Sequence, residues 1–299
     1  MRRVAAIVGP TAVGKTELSL EIARELGAEI VSLDSMQVYR GMDIGTAKPD
    51  AVMRAGVPHH MLDLFDADHD MTVSEFQGLA RTAVAGISDR RRLPLLVGGS
   101  GLYYRAVVDE LTFPPRSEDV RQRLEEEADE LGADVLYERL RELDPTAAVK
   151  IEPGNVRRTV RALEVIEITG RPFSDNMTWE TYESIYDLTV VGLTRPRDDL
   201  FARIERRVDG MLAAGLIEET TEVAAGGVGR TARQALGYRQ VLECESDRVR
   251  DEIVKATKQF ARRQESWFRA DPRVVWIDMT LEDAVGRVRV ALGAAENLV

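Results

Sequence analysis

Residues Gly9-Pro10-Thr11-Ala12-Val13-Gly14-Lys15-Thr16 fit the pattern G-x-x-x-x-G-K-[ST]. Glycines at both ends let the backbone turn tightly, so that successive N–H groups converge on a phosphate. A helix starting at Gly14 would add its positive N-terminal end. Lys15 supplies a mobile cation for the terminal phosphate, and the Thr16 hydroxyl a ligand for Mg²⁺. These eight residues are the expected polyphosphate cradle, with a chance Gly-rich turn as the plain alternative. The motif does not specify which polyphosphate it takes.

A second chemical group is needed, and the sequence offers one carboxylate in the right place. An ATPase that activates water ordinarily ends a later strand in an acidic residue. Here Leu93–Val97 runs into Gly98-Gly99-Ser100-Gly101 instead. A GTPase reads guanine with N-K-x-D, but Ala47-Lys48-Pro49-Asp50 lacks the leading residue and follows the loop too closely. The acidic residue that does appear is Asp34, at the end of the second predicted strand. In open α/β sheets ligands sit beyond the carboxyl ends of the strands, which points Asp34 at whatever the loop holds. A capping or turn aspartate is the competing explanation.

These groups need elements to position them. Val4–Val8 reads as a buried strand and Gly14–Leu26 as a helix, with Leu18, Ile22 and Leu26 at helical spacing. Glu29–Leu33 and Leu93–Val97 read as strands, with a helix over Val73–Arg90 between them. Strands alternating with helices predict an α/β fold, a P-loop NTPase-like parallel sheet covered by helices. From Ser117 the pattern changes. Residues 117–145 carry eleven acidic and four basic side chains and read as two helices divided at Gly132. A third helix, Val156–Thr169, stops at Gly170. Strand signals return at Leu188–Leu193 and Val274–Ile277. Residues 117–186 are therefore expected to be a helical insertion in a core made of 1–116 and 187–299.

The 299 residues are 44% hydrophobic and 30% charged, enough for a packed core, with a net charge of −11 that argues against bulk coating of nucleic acid. No apolar run is long enough to span a membrane, and the short one at the N-terminus leads into the phosphate loop rather than a cleavage site. The single cysteine, Cys244, excludes an intrachain disulfide and a cysteine-based zinc site, and suits a reducing cytoplasm.

Beyond the phosphate loop the residues become specific. Asp34-Ser35-Met36-Gln37-Val38-Tyr39-Arg40-Gly41-Met42-Asp43-Ile44-Gly45-Thr46-Ala47-Lys48-Pro49 closely resembles a signature of the tRNA dimethylallyltransferase family, also called tRNA isopentenyltransferase. Pro58-His59-His60-Met61-Leu62-Asp63, Val97-Gly98-Gly99-Ser100-Gly101-Leu102-Tyr103, Arg161-Ala162-Leu163-Glu164-Val165, Gly237-Tyr238 and Arg262-Arg263-Gln264-Glu265-Ser266-Trp267-Phe268-Arg269 follow in the same order. The resemblance runs from about residue 4 to 278 and, with one cysteine, points to the bacterial type.

The resemblance implies transfer of a dimethylallyl group from dimethylallyl diphosphate to N6 of the adenosine 3′-adjacent to the tRNA anticodon. Gly9 to Thr16 would then hold a diphosphate with Mg²⁺ on Thr16, and Asp34 would be the general base. Lys15 and Arg203 would neutralise the leaving diphosphate, while a solvated surface role stands equally for Arg207. The tRNA anticodon stem-loop would meet Asp34, Ser35, Met36, Gln37 and Ser100, with Arg121 and the segment Arg157-Arg158-Thr159-Val160-Arg161 from the insertion. Many relatives carry Gln where Arg157 stands. Residues 253–273 form a second basic segment, in which Trp267 and Phe268 are expected to pack in the core. His59 and His60 are expected to be structural. The partners implied are tRNA and dimethylallyl diphosphate, with no membrane and a monomeric enzyme. The competing readings are a small-molecule or nucleotide kinase with a helical lid and a non-catalytic RNA-binding module built on the arginine stripes.

Overall fold

The computed structural model describes residues 1–176 and 181–293. These divide into two compact units, one of residues 1–110 with 182–299, the other Leu111–Thr181. The larger unit is built on one sheet. Its strands are Arg3–Val8 (β1), Glu29–Ser32 (β2), His59–His60 (β3), Pro94–Gly98 (β4), Asp187–Thr194 (β5) and Val274–Asp278 (β6). They lie in the order β3-β2-β4-β1-β5-β6, and every pairing is parallel. Central strand β1 is buried on both faces from Val4 to Val8, which is why its sequence is a continuous apolar run rather than an alternating one.

Val8 pairs with Gly98 on one side and Gly192 on the other, so the carboxyl ends of β1, β4 and β5 are level. The loops that follow these strands therefore leave the sheet at one edge. Gly9 is required there: with φ at 141°, a Cβ would lie 2.6 Å from the Leu193 carbonyl oxygen of β5.

Four helices precede the insertion: Lys15–Leu26 (α1), Ala51–Arg54 (α2), Val73–Asp89 (α3) and Gly101–Val108 (α4). The insertion holds Glu118–Leu131 (α5), Ala133–Leu143 (α6), Pro145–Lys150 (α7) and Val156–Thr169 (α8). Arg197–Ala213 (α9), Leu216–Ala225 (α10), Tyr238–Glu243 (α11), Val249–Arg269 (α12) and Ala284–Ala291 (α13) follow. The two-residue strand β3 is the one strand the sequence did not announce. It carries no apolar alternation; His59 Nδ1 lies 2.7 Å from the Val57 carbonyl and His60 Nε2 lies 2.8 Å from Glu29. Both histidines are thus part of the sheet edge rather than a loop, and His59 also lines the cleft described below.

The smaller unit has its own core of Leu124, Leu136, Leu140, Ala147, Val160 and Leu163. Local sequence sets its helix ends. Ser117, Asp144 and Asn155 cap α5, α7 and α8, each accepting a backbone N–H from the first turn. Gly170 ends α8 in the left-handed conformation. The unit starts and ends earlier than the 117–186 expected from composition. The reason is that Ile185 donates its N–H to the Val108 carbonyl at 2.9 Å, and Asp109 and Ser184 form an antiparallel bridge. Residues 182–186 are thereby tied to the larger unit, where Tyr186 joins the main core.

No helix among the described residues is long and apolar enough to cross a membrane.

Candidate active-site cleft

A cleft of about 740 Å³ opens where the phosphate loop leaves β1, wholly within the larger unit. Thr11, Ala12, Gly14, Lys15 and Thr16 line one side; Asp34, Gln37 and the stretch from Asp43 to Asp50 line another. Arg203, Arg206 and Arg207 of α9 and Phe260 and Gln264 of α12 complete it.

The loop is braced from elements far away in sequence. Ala12 has φ 63°, a left-handed conformation unusual without glycine, and its carbonyl accepts Arg203 Nε at 2.8 Å. The Val13 carbonyl accepts Arg195 Nε at 3.1 Å. On the other side the Thr11 N–H donates to Gln264 Oε1 at 2.9 Å. Gln264 is buried, and its amide sits where a side chain on Gly99 would be, so Gly99 and Gln264 form one joint between the loop and β4. Lys15 Nζ donates to the Gly9 and Pro10 carbonyls at 2.9 and 2.8 Å.

The titrating groups are coupled. Burial pushes the Lys15 ammonium down to about 7, and the charge of Arg207 adds to the shift against the pull of Asp34. Asp34 moves upward. Burial outweighs the Met36 N–H, which Asp34 Oδ1 accepts at 2.9 Å, and the nearby charges of Lys15 and Arg207. Burial also works against the Arg207 cation, with Asp34 and Glu17 supporting it. Asp34 is therefore a turn residue by its backbone contact and a cleft carboxylate by its position; the two readings of the sequence coexist. Arg207, for which a solvated surface role and a role in the site stand equal in the sequence, is drawn into this charged group.

Not every expected residue lines the cleft. Gly9, Pro10 and Val13 are buried within the loop itself. Ser35 and Met36 follow Asp34 and lie outside the lining, as does Ser100, the residue that precedes α4. The Gln37 amide is committed internally, accepting from Ser32 Oγ at 2.8 Å and donating to the Thr46 carbonyl at 3.2 Å. Trp267 departs from the expected core role: it is 39% exposed, whereas Phe268 is fully buried. Its ring covers Gly101, where a side chain would collide with it.

In the smaller unit, Arg157 and Arg158 stand exposed on α8. Thr159 and Val160, expected at an RNA surface, face the core instead, at 1% and 2% exposure. They lie on the inward side of a helix whose apolar face is set by Val160 and Leu163. Arg161 Nη2 donates to the Pro114 carbonyl at 2.8 Å, and Arg161 and Arg121 both pair with the buried Glu164, at 2.9 and 2.8 Å. Both arginines thus serve as struts within their own unit.

Sequence reasoning gave no role to Gln264 or Glu219 and left Arg207 undecided. Gln264 stood inside a noted motif, and Arg207 lies one helical turn from Arg203. Nothing in the sequence signalled Glu219, whose carboxylate accepts the N–H groups of Asp43, Ile44 and Gly45 at 2.8–3.2 Å.

A parallel sheet, a phosphate loop at its central strand and a charged cleft beyond the strand ends define an α/β protein of the P-loop class. The IPP transferase family model matches residues 37–271, and the isopentenyl transferase model matches residues 2–57. This chain belongs to the IPP transferase family. A tRNA dimethylallyltransferase of Streptomyces coelicolor is 50% identical over 304 residues, spanning 99% of this chain and 97% of the relative. The solved structure of the full-length tRNA isopentenylpyrophosphate transferase from Bacillus halodurans superimposes with a TM-score of 0.71 at 39% identity, covering 100% of this chain and 99% of that one. A eukaryotic dimethylallyltransferase, solved acting on tRNA, gives a TM-score of 0.81 at 25% identity over 97% of this chain and 78% of its own.

Proposed function

We propose that this protein is a tRNA dimethylallyltransferase, moving the five-carbon group of dimethylallyl diphosphate to N6 of the adenosine 3′-adjacent to the anticodon and releasing diphosphate. Membership of the family supports the reaction. The observation that carries the site assignment is the meeting of Asp34 with Lys15 in one cleft. The relatives and structural neighbours are prenyl transferases, which decides against a small-molecule kinase.

Adenine N6 is a weak nucleophile, because its lone pair is delocalised into the ring. As the N6–C1 bond forms and the C1–O bond breaks, Asp34 takes the N6 proton. A carboxyl raised by burial is a better base than a solvated one, and burial raises Asp34. The departing diphosphate gathers charge on its bridging oxygen. Lys15, Arg203 and the loop N–H groups from Ala12 to Thr16 stabilise it, and Arg207 adds a second guanidinium. A diphosphate beside Lys15 restores the protonated ammonium that burial disfavours.

The donor set suits Mg²⁺ carried on a diphosphate. Mg²⁺ ordinarily takes one or two protein oxygens and fills its shell with phosphate and water, and the Thr16 hydroxyl is such an oxygen on the cleft wall. When bound, the ion would supply charge neutralisation to the leaving group.

The adenosine must leave its stack to reach Asp34. Asp34 and Gln37 line the cleft that would take the flipped base, and Ser35, Met36 and Ser100, outside that lining, are left to the neighbouring nucleotides. In the smaller unit Arg157 and Arg158 are the assigned phosphate contacts, with Arg121 and Arg161 behind them as struts. The partly buried lone Cys244 suits a cytoplasmic enzyme.

Mass spectrometry of nucleosides tests the assignment. Unmodified tRNA incubated with enzyme, Mg²⁺ and dimethylallyl diphosphate should yield an adenosine heavier by one dimethylallyl group; no gain in mass overturns it.

A further inference from the structure

The cleft wall opposite the phosphate loop is held by a device that the reaction itself does not use. Residues Asp43 to Lys48 supply Asp43, Ile44, Thr46, Ala47 and Lys48 to the lining, to which the apolar side chains of Ile30 and Met53 also belong. Three consecutive backbone N–H groups of this wall, from Asp43, Ile44 and Gly45, converge on the one carboxylate of Glu219 in the first turn of α10. Such a nest of N–H groups selects an anion and fixes the backbone that presents it. The Tyr238 hydroxyl, at the start of α11, donates to the same carboxylate. Tyr238 is buried and its ring lies flush on Gly45, so that any side chain at Gly45 would occupy the ring. On its inner side the wall is held by Lys48 Nζ, which donates to the Tyr39 carbonyl and to Asp43 and Asp63 at 2.6–2.7 Å. Ala47 has φ 47°, a strained conformation that persists because its surroundings determine it.

The wall is thus gripped by Glu219, Tyr238 and Lys48, and it presents the apolar side chains of Ile44 and Ala47 to the cleft between the polar ones of Asp43, Thr46 and Lys48. The front belongs to the same cleft as Lys15 and Arg203, and its apolar part at Ile44 and Ala47 offers a diphosphate little. It suits the hydrocarbon of a donor whose diphosphate lies on the loop. We propose that Glu219 and Tyr238 are positioning residues that set the prenyl-facing wall at Ile44, and so determine which prenyl chain length the enzyme accepts. This rests on the function proposed above.

The test compares wild type, Glu219→Gln, Tyr238→Phe and Gly45→Ala, using an anticodon stem-loop RNA and two donors, dimethylallyl diphosphate and a ten-carbon prenyl diphosphate. Inorganic diphosphate binding is measured in parallel by calorimetry. Glu219→Gln puts an NH₂ group against N–H donors, and Gly45→Ala pushes the wall off the Tyr238 ring without touching the carboxylate. Both should raise KM for dimethylallyl diphosphate about tenfold and narrow the preference for the shorter donor, the size of effect a pocket shows for small changes in apolar fit. The single-turnover rate at saturation and the Kd for inorganic diphosphate should stay within a few fold, a split that general loosening of the fold would not produce. Tyr238→Phe keeps the ring on Gly45 and should fall between them and wild type. Unchanged donor KM and chain-length preference in both Glu219→Gln and Gly45→Ala overturn the inference, as does a parallel rise in the Kd for inorganic diphosphate. Absence of transfer by the wild type instead overturns the proposed function.

Discussion

Asp34 in the cleft and Glu164 in the helical unit are both carboxylates withdrawn from water, and their surroundings push them in opposite directions. At Asp34 burial prevails over one backbone N–H and two nearby cations, and the carboxyl is raised. At Glu164 burial also raises, but the Ser117 N–H and the Arg161 and Arg121 guanidinia outweigh it, and the carboxyl falls below its usual range. Glu164 is fully buried with every neighbour inside its own unit. Asp34 shares its charge with Lys15 and Arg207 across an open cleft. A buried charge already satisfied holds a fold together, whereas one left partly uncompensated beside a cavity is available for chemistry.

The contrast can be broken most sharply at Asp34. Asp34→Asn keeps the turn hydrogen bond but cannot accept a proton. The chemical step should slow by about 10²–10⁴, with little change in binding of either substrate. Single-turnover kinetics at saturating tRNA and donor measures this, and a rate within a few fold of wild type removes Asp34 from the reaction. In wild type the same rate should fall on acidification at a pH above the ordinary aspartate range, because the base must be ionised and its carboxyl is raised.

Lys15→Ala should weaken inorganic diphosphate binding by about 10²-fold, a typical worth for one oriented charge in such a site, and tRNA binding far less. Calorimetry and filter binding separate the two; equal losses would contradict the assignment of Lys15 to the diphosphate alone.

Glu164→Ala leaves two guanidinia without their partner and should cost the helical unit about 3 kcal/mol, measured by denaturant unfolding followed within that unit. Its folded carboxyl lies below the 4.5 of a free glutamate, so its contribution is complete above that pH and lost as the pH falls through the folded value. Glu164→Gln should remove this part of the acid sensitivity. The smallest effect is expected at Arg158. Exposed and one phosphate contact at most, Arg158→Ala should lower the log–log salt slope of tRNA binding by about one. Arg161→Ala should first destabilise its unit; an equal effect of both on the slope alone would return Arg161 to the RNA surface.

Much of this frame was legible in the sequence. The phosphate loop, five strands and the helices around Gly132 and Gly170 are local patterns of period, turn and cap. What was hidden is long-range. Gln264 meets Thr11 across 253 positions, Arg203 meets Ala12 across 191, and Glu219 meets Asp43 across 176. No periodicity encodes such pairings. In the segment Arg157–Arg161 helical spacing does put Val160 on an apolar face with Val156, Leu163 and Ile166, and assigning the whole segment to RNA overrode that phase, which the helical unit's core bears out at Thr159 and Val160. Arg207 was ambiguous, since Arg206 next to it is exposed.

The short antiparallel bridge between Asp109 and Ser184 bears on how this chain could be rebuilt. Residues paired across antiparallel strands stand about 5 Å apart. The helical unit therefore leaves the larger unit and rejoins it at nearly one point, as a branch grafted at a single node. A two-residue hairpin turn could close that node. The helical unit is then a detachable cassette: it could be exchanged between homologues, or trimmed away, while the larger unit kept its sheet, its loop and its cleft. Selection could likewise alter the helical unit at that one graft without redrawing the sheet and its cleft.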